Sequence, residues 1–514
     1  MSKTIIIIGA GLAGLSAALQ AAENGCNVKL VSSLPSERAQ SVMAEGGINA
    51  ALNTKDENDS PEEHFTDTIK AACGLADPNA VWGMTQAAPE LVHWLLKLGV
   101  QFNMSGYDDV DLRNFGGQKK KRTAFAQSDT GKQIMTAMID AVRRKEASGM
   151  VERFSHHSFL TLRLCGNICC GCVIRDEYSQ ETVELPGDAV IVATGGMHGL
   201  FGNTTGSLSN TGEVTAELFR LGVPLANGEM IQYHPTTVKC GGKRMLISEA
   251  ARGEGGRLFA MKDGKQWYFM EEKYPELGNL MPRDITAREI WKVSHESEVF
   301  LDMTEISEEI ISNKLFGLAD DCMTYLHKDI RKEPVSVLPG IHYFMGGILV
   351  DEQHRTPIQN LYAAGECCAQ YHGANRLGGN SLLGALYGGR VAAKSACEQA
   401  DVVDLSCATQ IDFPPASQIS EIKQLNKVMQ ETMGVVRNEN TLLNGIQTVQ
   451  ALTGNLPLLG MAVLKSALAR KESRGAHWRE DYPKSNDDDY LKTTVARFDG
   501  KQIQISFVPV PERR

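Results

Sequence analysis

The sequence predicts an α/β fold organised around a Rossmann-like nucleotide-binding unit, and three observations carry that expectation. Ile5-Ile6-Ile7-Ile8 is a β-branched run that reads as a strand buried on both faces. It leads directly into Gly9-Ala10-Gly11-Leu12-Ala13-Gly14, the G-x-G-x-x-G spacing. Two later apolar strands, Asp188–Gly196 and Leu361–Glu366, also finish in glycine-containing turns.

Each glycine of the first motif has a separate task. Gly9 permits a tight turn, Gly11 lets backbone approach a pyrophosphate, and Gly14 lets helix pack on strand. The helix from Leu12 to Asn24 points its N-terminal N–H groups at the phosphates. Gly25 ends it, and Cys26–Val31 reads as a second strand. Ile5–Ala22 is apolar enough to resemble a signal-peptide core or a membrane span, but three spaced glycines and an immediate return to a strand argue against both. Ser32 and Ser33 stand where an acidic residue ordinarily holds a ribose, so this motif alone leaves the nucleotide open.

Arg38–Gly47 is a loop ending in a glycine pair, where backbone can approach a flat ligand closely. Asp56–Pro61 is polar and expected to be exposed; Glu62–Cys73 and Asn79–Leu98 have helical periodicity. Asn114–Gly117 followed by Lys119, Lys120, Lys121 and Arg122 forms a glycine-plus-basic loop, with the lysines expected in solvent. Asp129 or Thr130 is expected to cap a helix running to Lys145. Leu162–Ile174 reads as a hairpin turning at Gly166-Asn167. Thr211-Gly212-Glu213 opens a helix that ends near Gly222, and Asn380–Ala393 is a helix rich in small residues. Ser417–Leu452 and Leu459–Arg470 predict a helical region, followed by polar residues Lys471–Asp489 and a short hairpin around Asp499-Gly500.

A chain of 514 residues is too long for one core. Its net charge of −10 argues against nucleic-acid binding, which ordinarily requires a basic face. The twelve cysteines are not framed at disulfide spacing, and Cys165, Cys169, Cys170 and Cys172 alternate across a strand instead of converging on a metal. Buried small hydrophobes, with no metal, are the expectation there. Beyond the N-terminal strand and helix no segment reaches membrane-spanning length, which predicts a cytoplasmic protein, peripheral to a membrane at most through a partner.

Polar residues then cluster beside glycines, outside any amphipathic surface pattern. They fall in Tyr233–Thr236, Ser248–Gly256, Pro282-Arg283-Asp284, Gly340–Gly347 and His372–Leu382. Histidine donors together with arginine forks suit a dianionic substrate.

In this order and spacing the motifs resemble the fumarate reductase/succinate dehydrogenase flavoprotein family, which includes L-aspartate oxidase. The resemblance runs from Gly9 to Glu472–His477 and beyond, and is most specific in Ser248–Gly256, Pro282–Asp284 and His372–Leu382. It implies a discontinuous FAD-binding domain, 1–232 and 340–400, with an inserted α+β capping domain at 233–339. A C-terminal helical domain at 415–475 and a tail with a short hairpin at 476–514 follow. It implies FAD held by Gly9, Ala10, Gly11, Gly14, Ser32, Ser41, Gly46, Gly47, Glu213, Glu366, Ser381 and Leu382, with Glu366 taking the ribose. It implies Arg283 as proton donor to a substrate carbon, resupplied through Glu249 and Arg252. His234, Ser248, His342, Arg376 and Phe115 are implied on the substrate, fumarate, succinate or a similar dicarboxylate.

Gln40 stands where membrane-bound members of the family carry the histidine covalently linked to FAD, so a non-covalent flavin is expected. Ser248 replaces a common threonine and keeps the hydroxyl. The loop Phe115-Gly116-Gly117…Arg122-Thr123 has the form seen in fumarate reductases, whereas the alternative, L-aspartate oxidase, typically has Gly-His-Ser there. A non-catalytic electron-relay module is a further alternative, but it leaves Arg283, Glu249 and Arg252 without a task. The sequence has no iron–sulfur or haem-attachment motif, so electrons are expected from a partner such as an iron–sulfur subunit, or from a diffusible carrier.

Overall fold

The computed structural model describes residues 2–107, 109–400, 413 and 418–514. The start of the expected helical domain, 415–417, lies outside them. The isoleucine run forms strand Thr4–Ile8 at the centre of a five-stranded parallel sheet. Its neighbours are Ala189–Val192 on one side and Asn27–Ser32 on the other; Leu361–Ala363 and Val151–Ser155 complete the edges. Ile5, Ile6 and Ile7 are fully buried because helices cover one face and the antiparallel sheet of His157–Cys165, Ile168–Asp176 and Thr182–Pro186 covers the other, the two-sided burial a continuous apolar run anticipates. Helix Leu12–Glu23 packs along Asn380–Gln399, whose glycines and alanines permit close contact. Asn380–Gln399 runs six residues past the expected Ala393, since the sheet-facing pattern continues through Ala396.

Two strands lead out of this unit and back. Ile231–Cys240 and Leu338–Phe344 run antiparallel, and between them lies a mixed segment with its own core. Its four-stranded sheet has the order Lys265–Trp267, Arg257–Lys262, Val299–Asp302, Val335–Ser336. Helices Ile419–Thr432, Glu439–Val449 and Asn455–Ala469 build a further core against Glu213–Arg220. The C-terminal hairpin, Lys492–Phe498 with Ile503–Pro509, adds its first strand to Leu225–Ala226.

Two local expectations need correction, and the basic loop divides between its lysines and its arginine. Asp129 occupies the N-cap position of Thr130–Ala147 but makes no side-chain cap; Thr130 Oγ1 instead accepts from the Ala126 N–H at 3.0 Å. Cys169, Cys170 and Cys172 are buried free thiols on the expected hairpin, whereas Cys165 is disulfide-bonded. In the basic loop Lys119 and Lys121 are exposed, but Arg122 is fully buried between Asp59 (2.8 Å) and Asp67 (2.9 Å). Among the described residues no helix is long and apolar enough to cross a membrane.

Candidate active site

A cavity of about 870 Å³ begins where the first strand ends and reaches the inserted segment. Gly9, Ala10, Gly11, Ser32, Gln40, Ser41, Gly46, Gly47, Glu213, Glu366, Ser381 and Leu382 line its first part. Phe115, His234, Ser248, Glu249, Arg283, His342 and Arg376 line the second. Of the residues singled out in the sequence, Gly14 and Arg252 stand back from the wall. A Cβ on Gly14 would lie 1.9 Å from the Gly9 carbonyl oxygen, so this glycine is what lets the helix touch the strand. Arg252 stands behind Glu249.

The first part is built for a dinucleotide. Gly9 has φ +113, and a Cβ there would lie 2.3 Å from the Ala193 carbonyl oxygen. Helix Leu12–Glu23 starts at Gly11 with no side-chain cap, and Ser41 Oγ accepts from the Leu12 N–H at 3.3 Å. The second helix aimed at the cavity, Asn380–Gln399, likewise starts uncapped at Gly379. Two open helix N-termini on one cavity suit anionic and electron-rich groups. Ser32 Oγ is buried at the end of its strand without a hydrogen-bond partner, as a hydroxyl awaiting a ribose would be. Glu366 Oε1 accepts from the Phe344 N–H at 3.1 Å. These residues fit FAD.

The second part is a buried charge cluster. Ser248 caps the turn Glu249–Gly253, and the i,i+3 spacing places Glu249 and Arg252 on one face. Arg283, at the start of helix Arg283–Val293, donates from Nη2 to Glu249 Oε2 at 2.6 Å and from Nε at 2.8 Å. Glu249 Oε1 accepts from the Gly116 N–H at 3.2 Å and lies 3.3 Å from Arg252 Nη2. Arg252 Nη1 donates to the Asn279 carbonyl. Burial acts to raise the Glu249 carboxyl, but Arg283 and Arg252 outweigh it and hold it below the usual range. Burial, with Arg283 adding to it, lowers Arg252 despite the pull of Glu249.

Arg376 keeps an unpaired guanidinium nitrogen beside the substrate end of the cavity. Its Nε is buried without a hydrogen-bond partner, and its guanidinium stacks 4.4 Å from the Tyr343 ring centroid. Burial, reinforced by Arg283, lowers it to about 9, still protonated at neutral pH. His234 is fixed through Nδ1 to the Thr236 backbone, 3.1 Å from O and 3.3 Å from N. His342 Nδ1 shares a 2.8 Å hydrogen bond with Thr205 Oγ1. Burial and then Arg283 push both histidines well below their ordinary value, so they are neutral. Arg252, Arg283 and Arg376 against Glu249 therefore leave a surplus of two positive charges, the complement of a dicarboxylate.

Three polar contributors escaped the sequence reading. Gln232 Oε1 accepts from Arg283 Nη1 at 3.1 Å while its Nε2 donates to the Asn375 side chain (2.9 Å) and the Arg376 carbonyl (2.8 Å). It holds both arginines in register, and its place two residues before His234 on one strand was a usable signal. Thr205 had no such signal. Glu45, on the wall beside Ser248, is raised to about 8 by burial and by Asp321, so it stays neutral and leaves the charge count unchanged.

The chain resembles known proteins along its whole length. Residues 4–382 match the FAD binding domain family, and 452–513 match the fumarate reductase flavoprotein C-terminal family. The chain is 38% identical to the succinate dehydrogenase flavoprotein subunit of Bacillus subtilis (strain 168), covering 100% of this chain and 98% of that one. It is 32% identical to the 8-methylmenaquinol:fumarate reductase flavoprotein subunit of Wolinella succinogenes, covering 100% and 92%. Among solved structures, a mutant of E. coli quinol fumarate reductase FrdA superposes with a TM-score of 0.90 at 27% identity, over 99% of this chain and 97% of that one.

Proposed function

The chain belongs to the succinate dehydrogenase/fumarate reductase flavoprotein family and is a flavoprotein oxidoreductase, and from that premise we propose that it interconverts fumarate and succinate, working as a fumarate reductase. The observation that carries the reading is the buried surplus of two positive charges, contiguous with the dinucleotide part of the same cavity. FAD, when bound, supplies the hydride exchanged with the substrate carbon.

The side chains divide the remaining work. Arg376, with an unspent fork, takes one carboxylate, and the neutral donors His234, His342 and Ser248 serve the other. Arg283 delivers the proton to the carbon opposite the hydride. Its reference pKa makes it a poor acid in water. Here Glu249 bonds it twice and faces Arg252 through the other oxygen, a continuous chain for resupplying the proton from behind. Gln232 fixes the third nitrogen of Arg283, so the guanidinium cannot swing away from the substrate.

FAD would be held by the two open helix ends, Ser32, Ser41, Gly46, Gly47, Glu213 and Glu366. Gln40 lines the cavity, and its amide cannot form a histidyl link, so the flavin is non-covalent. Electrons come from a partner such as an iron–sulfur protein, and the protein acts in the cytoplasm or at the membrane surface through that partner. The segments 1–232 with 340–400, 233–339, 415–475 and 476–514 are the FAD-binding, capping, helical and tail units. Anaerobic turnover of fumarate with a reduced low-potential dye tests the reading, with L-aspartate as the competing substrate.

A further inference from the structure

We infer that His198 is a positioning residue that orients Glu366 toward the cofactor's ribose; this rests on the reading of Glu366 as an FAD contact. His198 follows the glycine pair Gly195-Gly196 that ends the second central strand, and it is fully buried. Its Nδ1 shares a 3.0 Å hydrogen bond with Thr204 Oγ1, and that oxygen also accepts from the Gly206 N–H at 3.2 Å. One side of the ring is thus pinned. The opposite nitrogen, Nε2, is buried with no hydrogen-bond partner and lies 3.7 Å from Glu366 Oε1. A shift of less than about 1 Å brings that pair to hydrogen-bond distance.

The surroundings restrict the ring to this pose. It meets Phe344 edge-on, with centroids 5.0 Å apart at 83°. It also lies flat on Gly206, where an added Cβ would come within 2.4 Å of three imidazole atoms. An apolar ring would fill the same space without burying an unpaired nitrogen, so packing alone does not account for a histidine. Glu366 Oε1 already accepts from the Phe344 N–H. A second donor from His198 holds that oxygen from two sides and leaves the other oxygen for a ribose hydroxyl in the cavity. In a neutral ring, Thr204 Oγ–H donating to Nδ1 sets the tautomer that carries its proton on Nε2.

The test is a double-mutant cycle on the purified holoenzyme, read by flavin fluorescence on dilution as the FAD dissociation constant. His198→Phe should weaken FAD binding about 10-fold, the worth of one hydrogen bond to a charged group. His198→Gln, which restores an N–H donor, should recover to within about threefold of the parent on the same scale. His198→Phe combined with Glu366→Ala should bind FAD no more weakly than Glu366→Ala alone. Equal losses for the Phe and Gln variants, or additive losses in the double variant, would show a ring that merely packs and would overturn the inference. Normal FAD binding by Glu366→Ala overturns the reading of Glu366 and this inference with it. Weak binding by Glu366→Ala beside normal binding by His198→Phe overturns the inference alone. If His198→Phe does not fold, Gly206→Ala displaces the intact ring and carries the same expectation.

Discussion

Replacing Arg376 by methionine should separate binding from stability. The guanidinium is buried, stacks on Tyr343 and leaves Nε without a partner, so its removal breaks no hydrogen bond that the ligand-free protein makes through that atom. Methionine keeps an unbranched apolar stem against the ring. Relief of an unsatisfied buried donor is worth about 1–3 kcal/mol. The free protein should therefore melt at the same temperature as the parent or a degree or two higher. The substrate loses a charge-assisted fork of two bonds, each worth about 1.5–3 kcal/mol, so kcat/KM for fumarate should fall roughly 10²–10⁴-fold. Malonate, a dicarboxylate that cannot react, should raise the melting temperature of the parent and not of the variant. A pH axis gives the same answer from another direction. Burial holds Arg376 down to about 9, so its charge is present below that pH and lost above it, and KM for fumarate should climb as pH passes 9. A variant that melts several degrees lower while keeping kcat/KM within about fivefold of the parent would refute this reasoning, because Arg376 would then be a structural cation.

Arg283→Ala should lose about 10²–10⁴-fold in kcat, the contribution of a positioned acid, while an absorbance scan still shows bound flavin. Acid precipitation should release all the flavin into the supernatant, since Gln40 cannot form a histidyl link; yellow colour in the pellet would contradict this. Burial pushes His64 to about 3 and His354 to about 4, and takes His234, His342, His372 and His477 well below their ordinary value. The unfolded chain takes up protons at these sites below about pH 6.5 while the folded chain does not. Their contribution to stability is whole above that pH and falls by up to about 1.4 kcal/mol per site per pH unit on acidification. Thermal melts between pH 7 and 4.5 should therefore show a steep drop, and a flat profile would place these imidazoles in water.

The features legible in the sequence are those whose physics is local. A β-branched run ending in spaced glycines specifies a buried strand and a tight turn before any partner is known, and Thr4–Ile8 sits at the centre of the sheet accordingly. Glu249 and Arg252 are one helical turn apart, so their shared face was readable too. What stayed hidden depends on distant residues. Arg122 is indistinguishable from the lysines before it until Asp59 and Asp67 close on its guanidinium. His198 and Thr205 carry no motif, and their meaning arises when Glu366 and His342 are brought alongside. The C-terminal hairpin was readable as a hairpin, but its pairing with Leu225–Ala226 spans most of the second half of the chain. Asp129 shows the reverse failure: a residue of the right type stands at a helix start, yet Thr130 Oγ1 takes up the nearby Ala126 N–H and Asp129 makes no cap.

The central claim is that this cavity reduces a dicarboxylate. The direct measurement is turnover on one preparation, comparing fumarate with a reduced low-potential dye and succinate with an oxidising dye, both without oxygen, and L-aspartate separately in air with peroxide detection. The account predicts fumarate reduction well above succinate oxidation and no peroxide from L-aspartate. Succinate oxidation matching or exceeding fumarate reduction would contradict the direction assigned here, and oxidation of L-aspartate without fumarate turnover would contradict the function.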